Sequence, residues 1–134
     1  VADSVEEVVY SYLTADASFL ANFTGVYWVE APEGTAYPYI TYFLVDDNGN
    51  EEYLKKDDQG DARVQFDLWT APTHSGAISG AKLRTTLREK VKAFNETRGG
   101  YSLTTIGITE QTIPRESESA PFHFVVDGII RWRK

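Results

Sequence analysis

Two histidines, His74 and His123, and a handful of acidic pairs are the residues in this 134-residue chain whose types invite a search for chemistry. A zinc protease would need paired histidines on one helix face, as in HExxH, and neither histidine has that setting. A Ser–His–Asp relay can be assembled on paper, but no strand-to-helix elbow of the GxSxG type presents a serine. The acidic pairs are Glu6-Glu7, Asp46-Asp47, Glu51-Glu52 and Asp57-Asp58. Residues Asp46-Asp47-Asn48-Gly49-Asn50-Glu51-Glu52 carry oxygen ligands around a glycine, as a calcium loop does, without the EF-hand spacing. A hairpin turn is the better reading of that segment, because Asn-Gly tolerates positive φ. No GxxxxGK[ST] or GxGxxG segment cradles a phosphate. With no cysteine, thiolate metal sites, thiol catalysis and disulfides are excluded. The expectation is a protein with no catalytic residues, no metal and no cofactor.

The elements that would position any site are easier to read. Ser4-Val5-Glu6-Glu7 fits a capping box, and Val5, Val8, Val9, Tyr12 and Leu13 recur with helical spacing. Asp16 can cap a second short turn that places Phe19, Leu20 and Phe23 inward, with Gly25 ending it. Val26–Ala31 reads as a short strand and Pro32–Pro38 as a loop. Tyr39–Val45 is apolar on both faces, which suggests a central strand or one covered by another subunit. After the expected turn at Asp47-Asn48-Gly49-Asn50, Glu51–Lys55 reads as a returning strand and the run Lys55–Asp61 as a polar tip. Ala62–Thr70 alternates, with Ala62, Val64, Phe66 and Leu68 on one side and Arg63, Gln65, Asp67 and Trp69 on the other. His74 falls in the loop that follows.

A long helix is expected over Ser75–Asn95. Ile78, Leu83, Leu87, Val91 and Phe94 form its apolar stripe, Lys82, Arg84, Arg88, Lys90 and Lys92 much of its remaining surface, and Gly99-Gly100 stops it. Tyr101–Ile113 is a strand with a bulge or bend at Gly107, and Pro114–Pro121 a polar loop. The last strand sends Phe122, Phe124, Val126, Ile130 and Trp132 one way and His123, Val125, Asp127, Ile129 and Arg131 the other. The order predicts one α+β domain over residues 1–134: a mostly antiparallel sheet with the N-terminal helix and one long helix on one face. Tyr42, Trp69, Val125 and Ile129 are assigned to the second face, and a domain this small has reason to expose them only for a contact.

Charge is lopsided. The chain carries −7 overall, with 13 acids and 2 bases in residues 1–61 and 7 acids and 11 bases in residues 62–134. Unlike potentials on two sides of a subunit steer it against a neighbour. Ordinary solvated faces are the plainer alternative. A chain this acidic is a poor general DNA binder, since that affinity comes from neutralising phosphates. No apolar run approaches the roughly 18 residues of a membrane span, and no basic segment followed by an apolar one marks a signal peptide. Val1 is small, which suits loss of a preceding initiator, and production in the cytoplasm is the expectation.

Four segments carry a family resemblance. They are Leu13-Thr14-Ala15-Asp16-Ala17-Ser18 after the opening helix; Ala31-Pro32-Glu33-Gly34-Thr35 with Tyr37-Pro38-Tyr39-Ile40; Arg63-Val64-Gln65-Phe66-Asp67-Leu68-Trp69 before the long helix; and Ile130-Arg131-Trp132-Arg133-Lys134 at the end. In this order the chain resembles the tail-completion, or tail-terminator, family of long-tailed bacteriophages. Thr24-Gly25-Val26-Tyr27 stands where that family has a glycine-arginine turn.

The resemblance implies a non-enzymatic virion protein, made in the bacterial host cytoplasm. It implies a homo-oligomeric ring, six copies in the usual case, on the head-proximal end of the tail tube. Such a ring stops growth of the tail tube protein and docks onto the head connector or stopper, while DNA passes through its lumen. In that setting Trp69, Lys82, Arg84, Arg88, Arg131 and Arg133 are expected at ring contacts. Asp46, Asp47, Asn48, Gly49, Glu51, Glu52, Lys55, Lys56, Asp57 and Asp58 are expected in a docking arm, with Pro114–Pro121 a second one. Another neck, connector or tube-like ring of the same particle is the alternative. A small α+β ligand-binding or enzyme domain with an aromatic pocket is a third reading.

Overall fold

The computed structural model describes residues 4–49, 59–98 and 100–134, with the backbone alone at 46–49. Helix α1 (Val5–Ala15) starts at an extended Ser4, whose hydroxyl accepts from the Glu7 N–H at 3.2 Å. That contact satisfies one of the donors a first turn leaves free. Val5, Val8, Val9, Tyr12 and Leu13 are buried, as their spacing requires. Asp16 then ends α1 and caps α2 (Ala17–Leu20), its Oδ1 accepting from the Phe19 N–H at 3.2 Å. Phe19 and Phe23 turn into the core beside α1.

Among the described residues six strands form one sheet: β1 (Val26–Trp28), β2 (Tyr39–Gly49), β3 (Gln59–Thr70), β4 (Asn95–Arg98), β5 (Tyr101–Ile113) and β6 (Phe122–Arg133), in the order β1-β2-β3-β6-β5-β4. Strand β1 is parallel to β2 and every other pair is antiparallel. Helix α3 (His74–Lys92) connects β3 to β4. Alternation on β3 and β6 puts Val64, Phe66, Leu68, Val126 and Ile130 on the face that the helices cover, in one core with Val8, Val9, Leu87 and Val91. The α+β class, the antiparallel bias and the one-sided helices are as the sequence predicts.

Tyr42 departs from expectation. It lies in this core and not on the second face, because it shares its side of β2 with Ile40. Its hydroxyl donates to the Glu6 carbonyl at 3.1 Å, and burial pushes its pKa upward, so it stays a donor.

Strand bounds differ in three places. Strand β1 ends at Trp28, not Ala31. Asn48-Gly49 is not a turn: β2 runs on through both, with Asn48 opposite Asp61 and Gly49 opposite Gly60, after an irregularity between Leu44 and Asp46. Gln59–Asp61 are likewise strand and pair with Arg131–Arg133 of β6. Local turn propensity yields here to a ladder supported from both sides. The expected strand Glu51–Lys55 and the tip residues Lys56, Asp57 and Asp58 lie outside the described residues.

The third difference follows α3, which ends at Lys92 instead of Asn95. Its last carbonyls find other partners: Thr105 Oγ1 donates to Val91 O at 2.7 Å and the Tyr12 hydroxyl to Lys90 O at 3.0 Å. Asn95–Arg98 then pairs with β5, Arg98 standing opposite Tyr101. Gly100, at φ 86°, therefore belongs to this hairpin and is not a helix stop.

Leu87, Val91 and Phe94 face the core as expected, and Leu83 packs at its margin, but Ile78 is half exposed. The buried positions of the first turns are Gly76 and Gly80. A Cβ on Gly76 would strike the Ala71 carbonyl, and one on Gly80 the Phe124 ring. The helix thus approaches β3 and β6 through missing side chains. Ile78 is two residues from each glycine, about 200° around the axis, and must point away.

Candidate functional site

No helix covers the second sheet face among the described residues, and a row of aromatic groups crosses it. Tyr39, Trp69 and His123 stand directly opposite one another on β2, β3 and β6. Trp69 stacks on the His123 ring at 3.9 Å and on Tyr39 at 6.4 Å, and Tyr37 stacks on Tyr39 at 5.6 Å. Directly opposite residues sit close enough for such rings to touch. The row is held by polar contacts beneath it. Trp69 Nε1 donates to Thr41 Oγ1 at 3.0 Å. Asp67 Oδ1 accepts from Gln65 Nε2 at 2.9 Å and lies 2.6 Å from His123 Nε2. Asp67 is buried although its face is uncovered, and Val125, opposite it, is buried outside the main core. A buried carboxylate is tolerable because both donors point at it.

The expected contact residues split between two faces. Lys82 is exposed on α3. Arg84 and Arg88 lie above β5, where Glu110 gathers both, at 3.6 Å from Arg84 Nε and 3.9 Å from Arg88 Nε. Arg84 Nη1 also donates to Thr112 Oγ1 at 3.0 Å, and Arg88 pairs with Glu89 at 2.8 Å. These cations already have partners within the chain. Trp69, by contrast, is on the uncovered face, where Arg131 pairs with Asp61 at 3.0 Å and Arg133 is exposed at the end of β6. His74 sits in the first turn of α3, not in the loop, because Thr73 caps the helix by accepting from the Gly76 N–H at 3.0 Å.

Of the docking arm, Asp46, Asp47, Asn48 and Gly49 belong to β2; Glu51, Glu52, Lys55, Lys56, Asp57 and Asp58 lie outside the described residues. The Pro114–Pro121 loop is folded on itself: Arg115 lies 4.0 Å over the Phe122 ring and donates to Glu118 O at 3.1 Å. Among the described residues no group of three or more His, Cys, Asp or Glu is placed to hold a metal ion. No helix among the described residues is long and apolar enough to cross a membrane.

The free edge at β1 carries a second feature. Trp28 is 60% exposed and Val29 58%. Val29 has φ 71°, a γ-turn value, and the turn is closed by the Glu30 N–H donating to Trp28 O at 2.9 Å. A β-branched residue held there stores about 1–3 kcal/mol, and such strain gathers at functional positions. Sequence reasoning extended the strand through Val29 and Glu30 and missed this corner, which no residue type signals. It also read Trp69 correctly as outward without finding its partners Tyr39 and His123, whose register depends on strands far apart in the chain.

The family model described as "Tail completion protein gp17" matches residues 7–133. The chain belongs to that family. The chain is therefore a structural component of the phage tail and virion, not an enzyme. Among solved structures, one chain that carries no descriptive name superposes on this one with a TM-score of 0.62 at 12% identity, over 96% of this chain and 90% of its own. A chain from the virion of the native gene transfer agent (GTA) particle superposes with a TM-score of 0.54 at 19% identity, over 97% and 93%. At these identities the likeness speaks for the fold alone. No curated protein matches significantly.

Proposed function

We propose that this protein forms a closed ring, of six copies, on the head-proximal end of the tail tube. The ring ends growth of the tube and joins it to the head connector, and DNA passes through its lumen. Family membership over residues 7–133 is the observation that carries the reading.

The subunit has what a ring requires. A cyclic assembly joins two unlike patches, one fitting the other on the next copy. The sheet order sets β1 at one edge and β4 at the other. The first 54 residues, which supply β1 and β2, contain no Lys, Arg or His, while 11 of the 13 bases follow Asp61. Each subunit is thus polarised across its sheet, and opposite potentials favour head-to-tail contact. A net charge of −7 per copy gives a lumen that repels phosphate and lets DNA slide. Trp69, Arg131 and Arg133 remain proposed contact residues on the uncovered face. Lys82, Arg84 and Arg88 are proposed on the helix side, and the segment around residues 46–58 as the docking arm.

The test is electron microscopy of particles assembled without the protein. Tails of irregular length, or tails detached from heads, are expected. Tails of normal length firmly joined to heads would end the proposal.

A further inference from the structure

Both borders of the sheet are only partly closed, and each leaves a stretch of main chain with no strand beside it among the described residues. On one side β1 pairs with Ile40–Tyr42 of β2 and goes no further. The Val29 N–H donates to the Tyr42 carbonyl at 2.8 Å, and the turn at Val29 then carries the chain away. Phe43–Gly49 of β2 is left open on that edge. On the other side β4 pairs with Tyr101–Thr104 of β5, and the Thr105 N–H donates to the Phe94 carbonyl at 3.0 Å. Ile106–Ile113 is left open there. Thr109, Glu110, Gln111 and Thr112 are all exposed although they alternate between the two faces, as happens where nothing lies alongside a strand.

An open strand edge is a template for a further strand, and proteins ordinarily blunt such edges with lysine or proline. Neither stretch contains either residue. The two stretches also match each other. They lie on opposite borders of the sheet, so they do not meet within one molecule. Three antiparallel steps separate β2 from β5, so these strands run in opposite directions. A second copy set beside the first in the same orientation therefore brings its β5 antiparallel to β2, the slightly stronger kind of pairing. Strands β1 and β4 act as stops, one holding the edge of β2 up to Tyr42 and the other that of β5 up to Thr104. Within one copy Ile113 is level with Tyr39, through His123 and Trp69. Bringing it level with Phe43 of a neighbour moves the second copy about 13 Å along the strands. A sheet that closes on itself has a stagger of this kind.

We infer that Phe43–Gly49 of one copy pairs antiparallel with Ile106–Ile113 of the next, main chain to main chain, with Phe43 beside Ile113. Phe43 stands opposite Gln65 and Ile113 opposite His123, both on the uncovered face, so each face continues from copy to copy. Recognition by strand addition draws its affinity from main-chain hydrogen bonds. The occupant is a second copy of this chain because every copy carries both halves of the pair, with length, direction and stops in agreement. The contact is heterologous, which is the kind that propagates around a ring. The inference rests on the ring reading and adds which edges join.

The chain has no cysteine, so engineered thiols report one contact at a time. Val45 and Gln111 are exposed and fall side by side in this pairing. Particles are assembled with V45C alone, Q111C alone, an equal mixture of the two, and the V45C/Q111C double variant, then treated with a short bis-maleimide. The mixture should give a covalent dimer, the double variant a ladder of covalent oligomers, and neither single variant a crosslink. Circular dichroism checks that each variant folds. Hydrogen exchange of the parent protein supplies a second measurement: the amides of residues 43–49 and 106–113 should exchange roughly tenfold or more slowly in tails than in unassembled protein. Several copies per tail with either the crosslinks or the slowed exchange missing would overturn the inference and leave the ring intact. One copy per tail would overturn the ring reading, and this contact with it.

Discussion

His123 Nε2 lies 2.6 Å from Asp67 Oδ1 while the His123 ring stacks 3.9 Å from Trp69. One side chain therefore ties a buried carboxylate on β3 to the aromatic row on the uncovered face. Asp67→Ala strands two donors, His123 Nε2 and Gln65 Nε2, and should lower stability by about 1–3 kcal/mol in urea unfolding. His123→Ala loses the same contact and the stack. The double variant should be less damaged than the sum by at least about 0.5 kcal/mol. Additive losses would mean that the two residues act independently.

The close approach of α3 gives a sign that helix propensity alone would get wrong. Gly→Ala inside a helix ordinarily gains about 1 kcal/mol. At Gly76 the new Cβ meets the Ala71 carbonyl, which is backbone and cannot swing aside. Gly76→Ala should destabilise the domain by about 1–3 kcal/mol. Ile78→Ala, on the exposed side, should stay within about 0.5 kcal/mol of the parent. Thermal unfolding of both variants distinguishes them, and equal shifts would contradict the assigned helix face.

Asp16 makes the acid limb of stability predictable. Lys90 Nζ donates to its Oδ2 at 3.0 Å, and the Phe19 N–H and Ser18 hydroxyl donate to Oδ1. These contacts, that to Lys90 first, hold its carboxyl at about 2 against an ordinary 3.8. The folded state thus binds this proton more weakly than the unfolded state. The contribution is present above the ordinary carboxylate range and is lost as pH falls toward about 2. Asp16→Asn keeps a good cap residue but removes the charge. The gap between its urea midpoint and the parent's should close between about pH 4 and about pH 2. A gap that stays constant would place the effect in the cap and not in the ion pair.

Val29 sets stability against assembly. Glycine adopts φ near 71° freely, so Val29→Gly removes about 1–3 kcal/mol of strain and returns about 0.4–1 kcal/mol through a looser unfolded chain. The isolated domain should gain about 1 kcal/mol in denaturant unfolding while incorporation into particles falls. A variant that is both less stable and fully incorporated would show that the corner is neither strained nor used.

Much of this fold was legible because its causes are local. Ser4 and Asp16 cap the helices they were expected to cap, and Tyr101–Ile113 is a strand with its irregularity beside Gly107. The failures have non-local causes. Asn48-Gly49 prefers a turn until β6 supports the far end of β3. Helix α3 stops early because Tyr12 and Thr105, distant in sequence, take its carbonyls. Gly76 and Gly80 escape a hydrophobic count because they pack by what they lack. The site divides the same way: alternation placed Trp69 outward, whereas its stacking on His123 required the β3–β6 register, and the Val29 turn leaves no trace in residue types.

The three-residue length of β1 has a last implication. That strand covers only Ile40–Tyr42 of β2, so among the described residues no strand pairs with the outer edge of Phe43–Gly49, and that open main chain is where another strand could add. A head-to-tail contact between copies closes into a ring only where its rotation comes full circle, and otherwise runs on as a helix. Brevity at the margin therefore puts the burden of a finite assembly on whatever caps that edge.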